Sequence, residues 1–169
     1  MGTKDRAITQ WMASDSDQRA QLRSLSRSAL RGAYNEGLCP DLHLFCGPAD
    51  GFVLGDGLIA RLGVWRGKLF DEQTDLGGIS GVNRIGFPRL EFRRYPFTGH
   101  IAKSRFRDGD VLFLDHNHPS NPGWVRSFHD EVVQIGDRIF LGQSHRWVQG
   151  ELKFVSYFVL TFPESPRFS

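Results

Sequence analysis

The sequence predicts a mainly β protein, in which an N-terminal α-helix leads into a small antiparallel barrel of about eight or nine strands. Short apolar runs punctuated by Gly, Pro and Asp recur roughly every 8 to 12 residues from residue 58 onward, a spacing typical of barrels and sandwiches. Fourteen Phe and four Trp provide an aromatic interior. The 169 residues fit one domain, residues 1–169, with the helix at 14–36 and the barrel at 58–163.

Residues 14–36 carry the pattern of one amphipathic helix. Ser14 or Ser16 can cap its first turn, and Gly37 is placed to end it. A narrow apolar stripe recurs at three- and four-residue steps and must pack against the barrel: Leu22, Leu25, Ala29 and Ala33. A row of arginines beside it is interpreted as a solvated face, with a phosphate- or partner-binding face as the alternative: Arg19, Arg23, Arg27 and Arg31.

The remaining chain is organised by turns and short strands. Residues 37–57 are interpreted as turns with one short apolar run at Phe52–Leu54. The strand 151–162 is apolar on both faces, so both should be covered, one of them by the N-terminal helix. The longer connection 119–128 includes a helical turn at Trp124–Phe128. Strands are predicted near 63–70, 80–87, 89–97, 100–106, 110–116, 130–136, 138–147 and 151–162.

Charge and targeting signals indicate a cytoplasmic protein. The net charge of +2, from 21 basic and 19 acidic residues, predicts no strong electrostatic attraction to nucleic acid or to an anionic membrane. The N-terminus lacks an apolar run, and no stretch approaches the roughly 18 apolar residues of a membrane span. We therefore expect no nucleic-acid binding and no membrane insertion. In a reducing compartment, Cys39 and Cys46 should be free thiols.

The string Gly63-Val64-Trp65-Arg66-Gly67-Lys68 opens the strand region. It resembles the Gly-x-Trp signature that begins the first strand of lipocalins and related calycin barrels, and it is similar to a feature of small bacterial lipocalin-like proteins. The resemblance covers only the chain from about residue 58 onward, and Leu114-Asp115-His116 does not match the lipocalin Thr-Asp-Tyr signature. What it implies is a barrel fold and a hydrophobic small-molecule ligand, with no catalytic residue carried over.

Polar side chains near the end of the predicted strand 110–116 are the candidate acids and bases. Asp115 at a barrel mouth, beside aromatic residues, would have a raised pKa and could exchange a proton with His116 or His145. Tyr157 is a further candidate catalytic residue. The structural alternative for Asp115 is a strand-end carboxylate that accepts backbone N–H groups. His116 and His118 alternate as a metal pair would, but no suitably placed Glu follows, so neither a metal nor a cofactor is expected.

Aromatic and cationic residues on the strands are the candidate ligand contacts. An arginine that faces inward among Phe side chains needs an anion from the protein or from a ligand. Arg126 could clamp a ligand carboxylate or phosphate at the mouth, or form a surface ion pair with Asp130. The candidate ligand-binding residues are Trp65, Arg93, Arg94, Tyr95, Phe113, Trp124, Arg126, Trp147, Phe154 and Phe158.

These observations favour a lipocalin-like module that binds a hydrophobic, acyl- or polyketide-like small molecule in the barrel cavity. The alternative is a cofactor-free cyclase, isomerase or lyase of biosynthesis, since such a cavity could fold a flexible substrate and supply one acid or base. A third hypothesis is an interaction domain whose helix 14–36 docks a partner. The oligomeric state stays open, with a homodimer among the alternatives.

Overall fold

The computed structural model describes residues 15–55, 61–71 and 77–163. Antiparallel strands form a closed barrel in which each strand pairs with its sequence neighbours and β1 pairs with β8. The prediction of a mainly β antiparallel barrel preceded by helix is confirmed. The strands are β1 (Gly47–Leu54), β2 (Trp65–Phe70), β3 (Ile79–Phe87), β4 (Leu90–Lys103), β5 (Asp110–Asp115), β6 (Phe128–Gly136), β7 (Ile139–Val148) and β8 (Glu151–Thr161).

The N-terminal helical segment consists of two helices, α1 (Asp15–Ser24) and α2 (Arg27–Glu36). The predicted single helix is interrupted because the Ser26 side chain caps α2, accepting a hydrogen bond from the Ala29 N–H at 3.1 Å. Ser14, the side chain of Ser16 and the predicted barrel start at residue 58 lie outside the described residues.

Two strands differ from the sequence pattern. β1 occupies part of the segment interpreted as turns, because only its last three residues are an apolar run while Gly47-Pro48 and Gly51 resemble turn punctuation. β4 unites the predicted strands 89–97 and 100–106 into 14 residues, and Pro96 is accommodated beside a bulge at Tyr95, whose φ is 60°. The helical turn predicted at 124–128 forms as α3 (Gly123–Arg126).

The helices cover one outer face of the barrel. Tyr157 and Val159 of β8 point outward into this layer, which confirms that β8 is covered on both faces. Of the predicted apolar stripe, Leu22, Leu25 and Ala33 pack against the barrel, whereas Ala29 is exposed. The inward face of α2 is formed instead by Leu30 and Tyr34. The buried outer core consists of Leu22, Leu30, Tyr34, Phe52, Leu54, Val111, Val133, Ile135, Ile139, Leu141, Tyr157 and Val159.

The barrel interior is packed with aromatic rings at one end. Phe45, which follows a short 3-10 helix at Leu42–Leu44, enters this end and contacts the rings of Phe70, Phe140 and Phe162 at centroid distances of 5.2, 4.6 and 5.5 Å. Phe97 extends the group through Phe70. We call these five rings the aromatic plug. They close the barrel where β2 ends and β3 begins, so the mouth lies at the opposite end, where β2 starts.

None of the helices in residues 15–55, 61–71 and 77–163 has the length and apolar character needed to cross a membrane. Cys39 and Cys46 are both exposed, and neither forms a disulfide.

Candidate functional site

Polar residues lie inside the barrel between the aromatic plug and the mouth. We call the Lys68 side chain and its three polar neighbours the inner polar cluster: Lys68, Asn83, His116 and Asp130. The Lys68 side chain is 2 % exposed. Its amine donates to Asn83 Oδ1 at 2.9 Å, lies 3.3 Å from His116 Nε2 and is 3.9 Å from Asp130 Oδ2. Alternation along β2 places Lys68 inside because it shares a face with Phe70, two residues later.

Burial shifts the titration of this cluster. Removal from water lowers the pKa of Lys68 to about 8, and the Asp130 carboxylate only partly offsets that loss. Burial and the neighbouring ammonium together lower the pKa of His116 to about 4. His116 is therefore neutral near pH 7. Since an ammonium cannot accept a hydrogen bond, Nε2 accepts from Lys68 and the ring proton lies on Nδ1.

The inner polar cluster contains buried polar atoms that have no hydrogen-bond partner in the described part of the chain. His116 Nδ1 and Asp130 Oδ1 have no hydrogen-bond partner among the described residues, and neither does Oδ1 of nearby Asn121. Leaving such an atom unpaired costs about 1–3 kcal/mol. The cluster is also shallow: His116 directly follows β5, and Asp130 is the third residue of β6. These atoms are therefore near the mouth and suited to a polar group that enters there.

A second site lies on the outer face of the barrel, across β5 and β6, and we call it the outer groove. Its cavity measures about 630 Å³. Aromatic side chains and two arginines make up much of its lining. The lining residues are Ala102, Lys103, Arg105, Phe113, Asp115, Asn117, Gly123, Arg126, Ser127, Phe128, His129, Glu131 and Trp147.

Glu131 anchors the base of the outer groove. Its carboxylate accepts hydrogen bonds from the Tyr34 hydroxyl at 3.0 Å, the Ser104 hydroxyl at 2.5 Å, the Arg105 N–H at 3.0 Å and His129 Nε2 at 2.9 Å. Burial alone would raise its pKa, but these donors outweigh burial and hold the pKa of Glu131 below its ordinary value. An ionised carboxylate thus ties α2, the β4–β5 loop and β6 together.

The contact with Glu131 also determines which ring nitrogen of His129 donates a hydrogen bond. Because the carboxylate only accepts, His129 Nε2 must donate to it. In the neutral ring, Nδ1 is then the acceptor. The ring is held by Phe113, whose centroid lies 4.5 Å away. This carboxylate–histidine pair has the arrangement of a general base and its orienting group.

The structure separates the four predicted catalytic residues. Asp115 lines the outer groove, and its Oδ1 accepts from the Asn117 N–H at 2.8 Å, the strand-end role considered above. His116 lies inside the barrel, while Tyr157 is buried beneath the helices. His145 is on the outer face, where burial lowers its pKa to about 4. Its ring stacks at 3.7 Å on Phe106, outside the barrel.

The predicted ligand contacts are likewise distributed over several surfaces. Phe113, Arg126 and Trp147 line the outer groove, where Arg126 donates to Asn117 Oδ1. Trp65 and Phe158 contact each other, and both lie within 6.0 Å of the Lys68 amine. The others lie elsewhere: Arg93 and Arg94 are exposed on β4, Tyr95 contacts Trp124, and Phe154 lies beside His145.

The position of Phe154 shows why the inward and outward faces of β8 are hard to assign from the sequence. A uniform alternation would place Phe154 and Phe158 on one face of β8. The β7–β8 register shifts between Ser144 and His145, so Phe154 pairs with His145 on the outside while Phe158 stays inside. One bulge therefore divides a predicted set of inward side chains.

Lys68, Asn83, Glu131 and His129 were not among the site residues predicted from the sequence. The available signal was a Lys at an inward position between Trp65 and Phe70, where a charged side chain is costly. His129 and Glu131 also alternate on one strand, but the hydrogen bond between Tyr34 and Glu131 joins residues 97 positions apart. In the described ranges, no group of three or more His, Cys, Asp or Glu side chains is arranged to hold a metal ion.

Comparisons with protein-family models, curated proteins and solved structures give no match to this chain.

Proposed function

We propose that this protein binds an apolar, aromatic small molecule that carries an anionic group, and that the outer groove is the binding site. The volume of about 630 Å³ supports the proposal, because small-molecule sites usually enclose about 300–1,000 Å³. A ligand inside the barrel stays a prediction, since the aromatic plug fills the end closed by Phe45.

The lining explains the ligand chemistry. Phe113 and the half-exposed Trp147 offer aromatic faces for burial and ring contact. Arg126 and Arg105 provide guanidinium groups, and the latter lies 5.6 Å from the centroid of Trp147. A carboxylate, sulfonate or phosphate would be held there by charge-assisted hydrogen bonds. The negative charge of Glu131 is already satisfied by four donors, so it competes little for the arginines.

Titration with anilinonaphthalene sulfonate, an aromatic anion, tests this proposal. We expect saturable binding, energy transfer from Trp147, and about tenfold weaker binding in Arg126→Ala, equivalent to about 1.4 kcal/mol. Arg89→Ala is the matched control, because Arg89 is an exposed arginine at the β3–β4 turn. Equal affinity of both variants and the wild-type protein would place the site elsewhere.

The His129–Glu131 pair favours a second candidate function, which is acid–base catalysis on the bound molecule without a cofactor. A base must be oriented with a free lone pair toward its substrate, and the 2.9 Å contact with Glu131 assigns that role to Nδ1. Nitrogen NMR shifts of His129 should show the proton on Nε2 near neutral pH. A proton on Nδ1 would remove the lone pair that a general base needs. Binding would then be the only function that the groove supports.

A further inference from the structure

We propose that Lys68 is a reactive amine that forms an imine with a small apolar aldehyde entering the barrel at the Trp65 end. This site is separate from the outer groove and does not depend on the function proposed there. It uses the opposite face of the same sheet, since His129 and Glu131 point outward from β6 while Asp130 points inward.

In the proposed route the aldehyde reaches the amine from the mouth by displacing the Trp65 side chain, because the Lys68 side chain is only 2 % exposed. Lys68 lies three residues from the start of β2, which is about 10 Å along a strand. Trp65 at that start is only half-buried, and its indole N–H donates to Asn83 Oδ1 at 3.0 Å. The aromatic plug blocks the other end. A ligand that passes Trp65 therefore meets the Lys68 amine before it meets the packed rings.

The surroundings of the amine select an uncharged ligand. The ring of Phe97 lies 4.4 Å from Lys68 Nζ, and those of Trp65 and Phe158 lie at 5.8 and 6.0 Å. These rings favour an apolar chain. Asp130 already supplies the negative charge in the cluster, so an anionic carbonyl compound would be repelled. A short alkyl aldehyde fits both conditions.

The reaction balances with groups that are present. The neutral amine of Lys68 attacks the carbonyl carbon, a C–N bond forms, and the carbonyl π pair moves to oxygen. One proton moves from the nitrogen to that oxygen and a second proton is added to the resulting hydroxyl. The C–O bond then breaks, water leaves, the nitrogen lone pair forms the C=N bond, and the nitrogen releases its second proton to replace the one that was added. Asp130 and His116 Nε2, which lie 3.9 and 3.3 Å from the amine, can each accept a proton from the nitrogen and return it to the oxygen. Each of these two side chains has one buried atom without a hydrogen-bond partner among residues 15–55, 61–71 and 77–163.

Reductive trapping tests the proposal. The folded protein is incubated with butanal and cyanoborohydride near neutral pH, and the butylated lysines are identified by peptide mass mapping. Lys103 and Lys153 are internal controls, because their side chains are 82 % and 59 % exposed. An amine with a pKa of about 8 has on the order of 100-fold more neutral form than an ordinary lysine, so Lys68 should be labelled first.

Two comparisons make the outcome decisive. In denaturant, the preference for Lys68 should vanish, since its surroundings no longer exist. His116→Gln in the folded protein should slow trapping at Lys68 but not at Lys103, provided that circular dichroism shows an intact barrel. Because His116 is neutral near pH 7, this variant removes a proton relay without removing a charge beside the amine. Labelling of Lys103 and Lys153 with Lys68 unmodified, or equal labelling of all three, would overturn the proposal.

Discussion

Replacement of Glu131 by alanine probes the network on which the outer groove rests. The substitution removes one acceptor group that serves four donors. Ser104 and Arg105 are partly exposed and can turn to water, whereas Tyr34 and His129 are buried. Each buried donor left unpaired costs about 2 kcal/mol, so we expect a loss of about 4 kcal/mol in the free energy of unfolding.

Urea denaturation measures this loss. With an m value of about 2 kcal/mol/M, the midpoint should fall by about 2 M. Glu131→Gln keeps one acceptor oxygen and should lose about half as much. Glu151→Ala, at an exposed acidic position, is the control and should change the stability by less than about 0.5 kcal/mol. A loss below about 0.5 kcal/mol in Glu131→Ala would refute the reasoning from unsatisfied donors.

The same carboxylate gives a pH dependence. Because the pKa of Glu131 is lower in the folded chain than in the unfolded chain, its contribution is present above the ordinary pKa of 4.5. The contribution is lost as the pH falls below that value. The stability of Glu131→Gln should therefore decline less between neutral pH and acid than that of the wild-type protein. Parallel curves would contradict the assignment of an ionised, hydrogen-bonded carboxylate.

Three further predictions concern the packing of the barrel and the two buried histidines. Phe45→Ala should lose about 3–5 kcal/mol in urea denaturation, because it empties the centre of the aromatic plug. Gly142→Ala should lose about 1–3 kcal/mol, since a Cβ there would lie 2.1 Å from the ring of Phe158. Thermal stability should fall as the pH drops from 6.5 toward 4, because His116 and His145 are held neutral in the fold and the unfolded chain takes up their protons.

The glycine and pH predictions each have a control. Gly123→Ala is the control for the glycine prediction, since an added Cβ there meets no heavy atom within 4 Å. Equal stability of both glycine variants would mean that the interior is not packed as described. For the pH dependence, His145→Gln should flatten the stability curve between pH 6.5 and 4, and an unchanged curve would contradict the buried neutral ring.

The barrel could be predicted because its signals are local. Alternating apolar residues and Gly or Asp turns mark strands such as 139–148 and 151–161 wherever they lie in space. β1 was not predicted as a strand because Gly47-Pro48 and Gly51 resemble turn residues. The strand is recognisable only by its pairing with β2 and β8. The interruption at Ser26 was likewise hidden within a continuous helical pattern.

The candidate sites were harder because they depend on which side of a strand faces inward. In β6, Asp130 and Glu131 are neighbours, yet one belongs to the inner polar cluster and the other to the outer groove. The sequence identifies Asp115, Phe113, Arg126 and Trp147 as functional candidates, and the structure brings these four together in the groove. Their place outside the barrel follows from the closure of the barrel and the register of its strands. Neither can be predicted from a local sequence pattern.

The most direct test of ligand binding on the outer face is a set of NMR contacts between bound anilinonaphthalene sulfonate and assigned aromatic side chains. Contacts with Phe113 and Trp147, with none to Phe97 or Phe158, are the predicted result. Contacts with Phe97 and Phe158 instead would place the ligand inside the barrel and contradict the account.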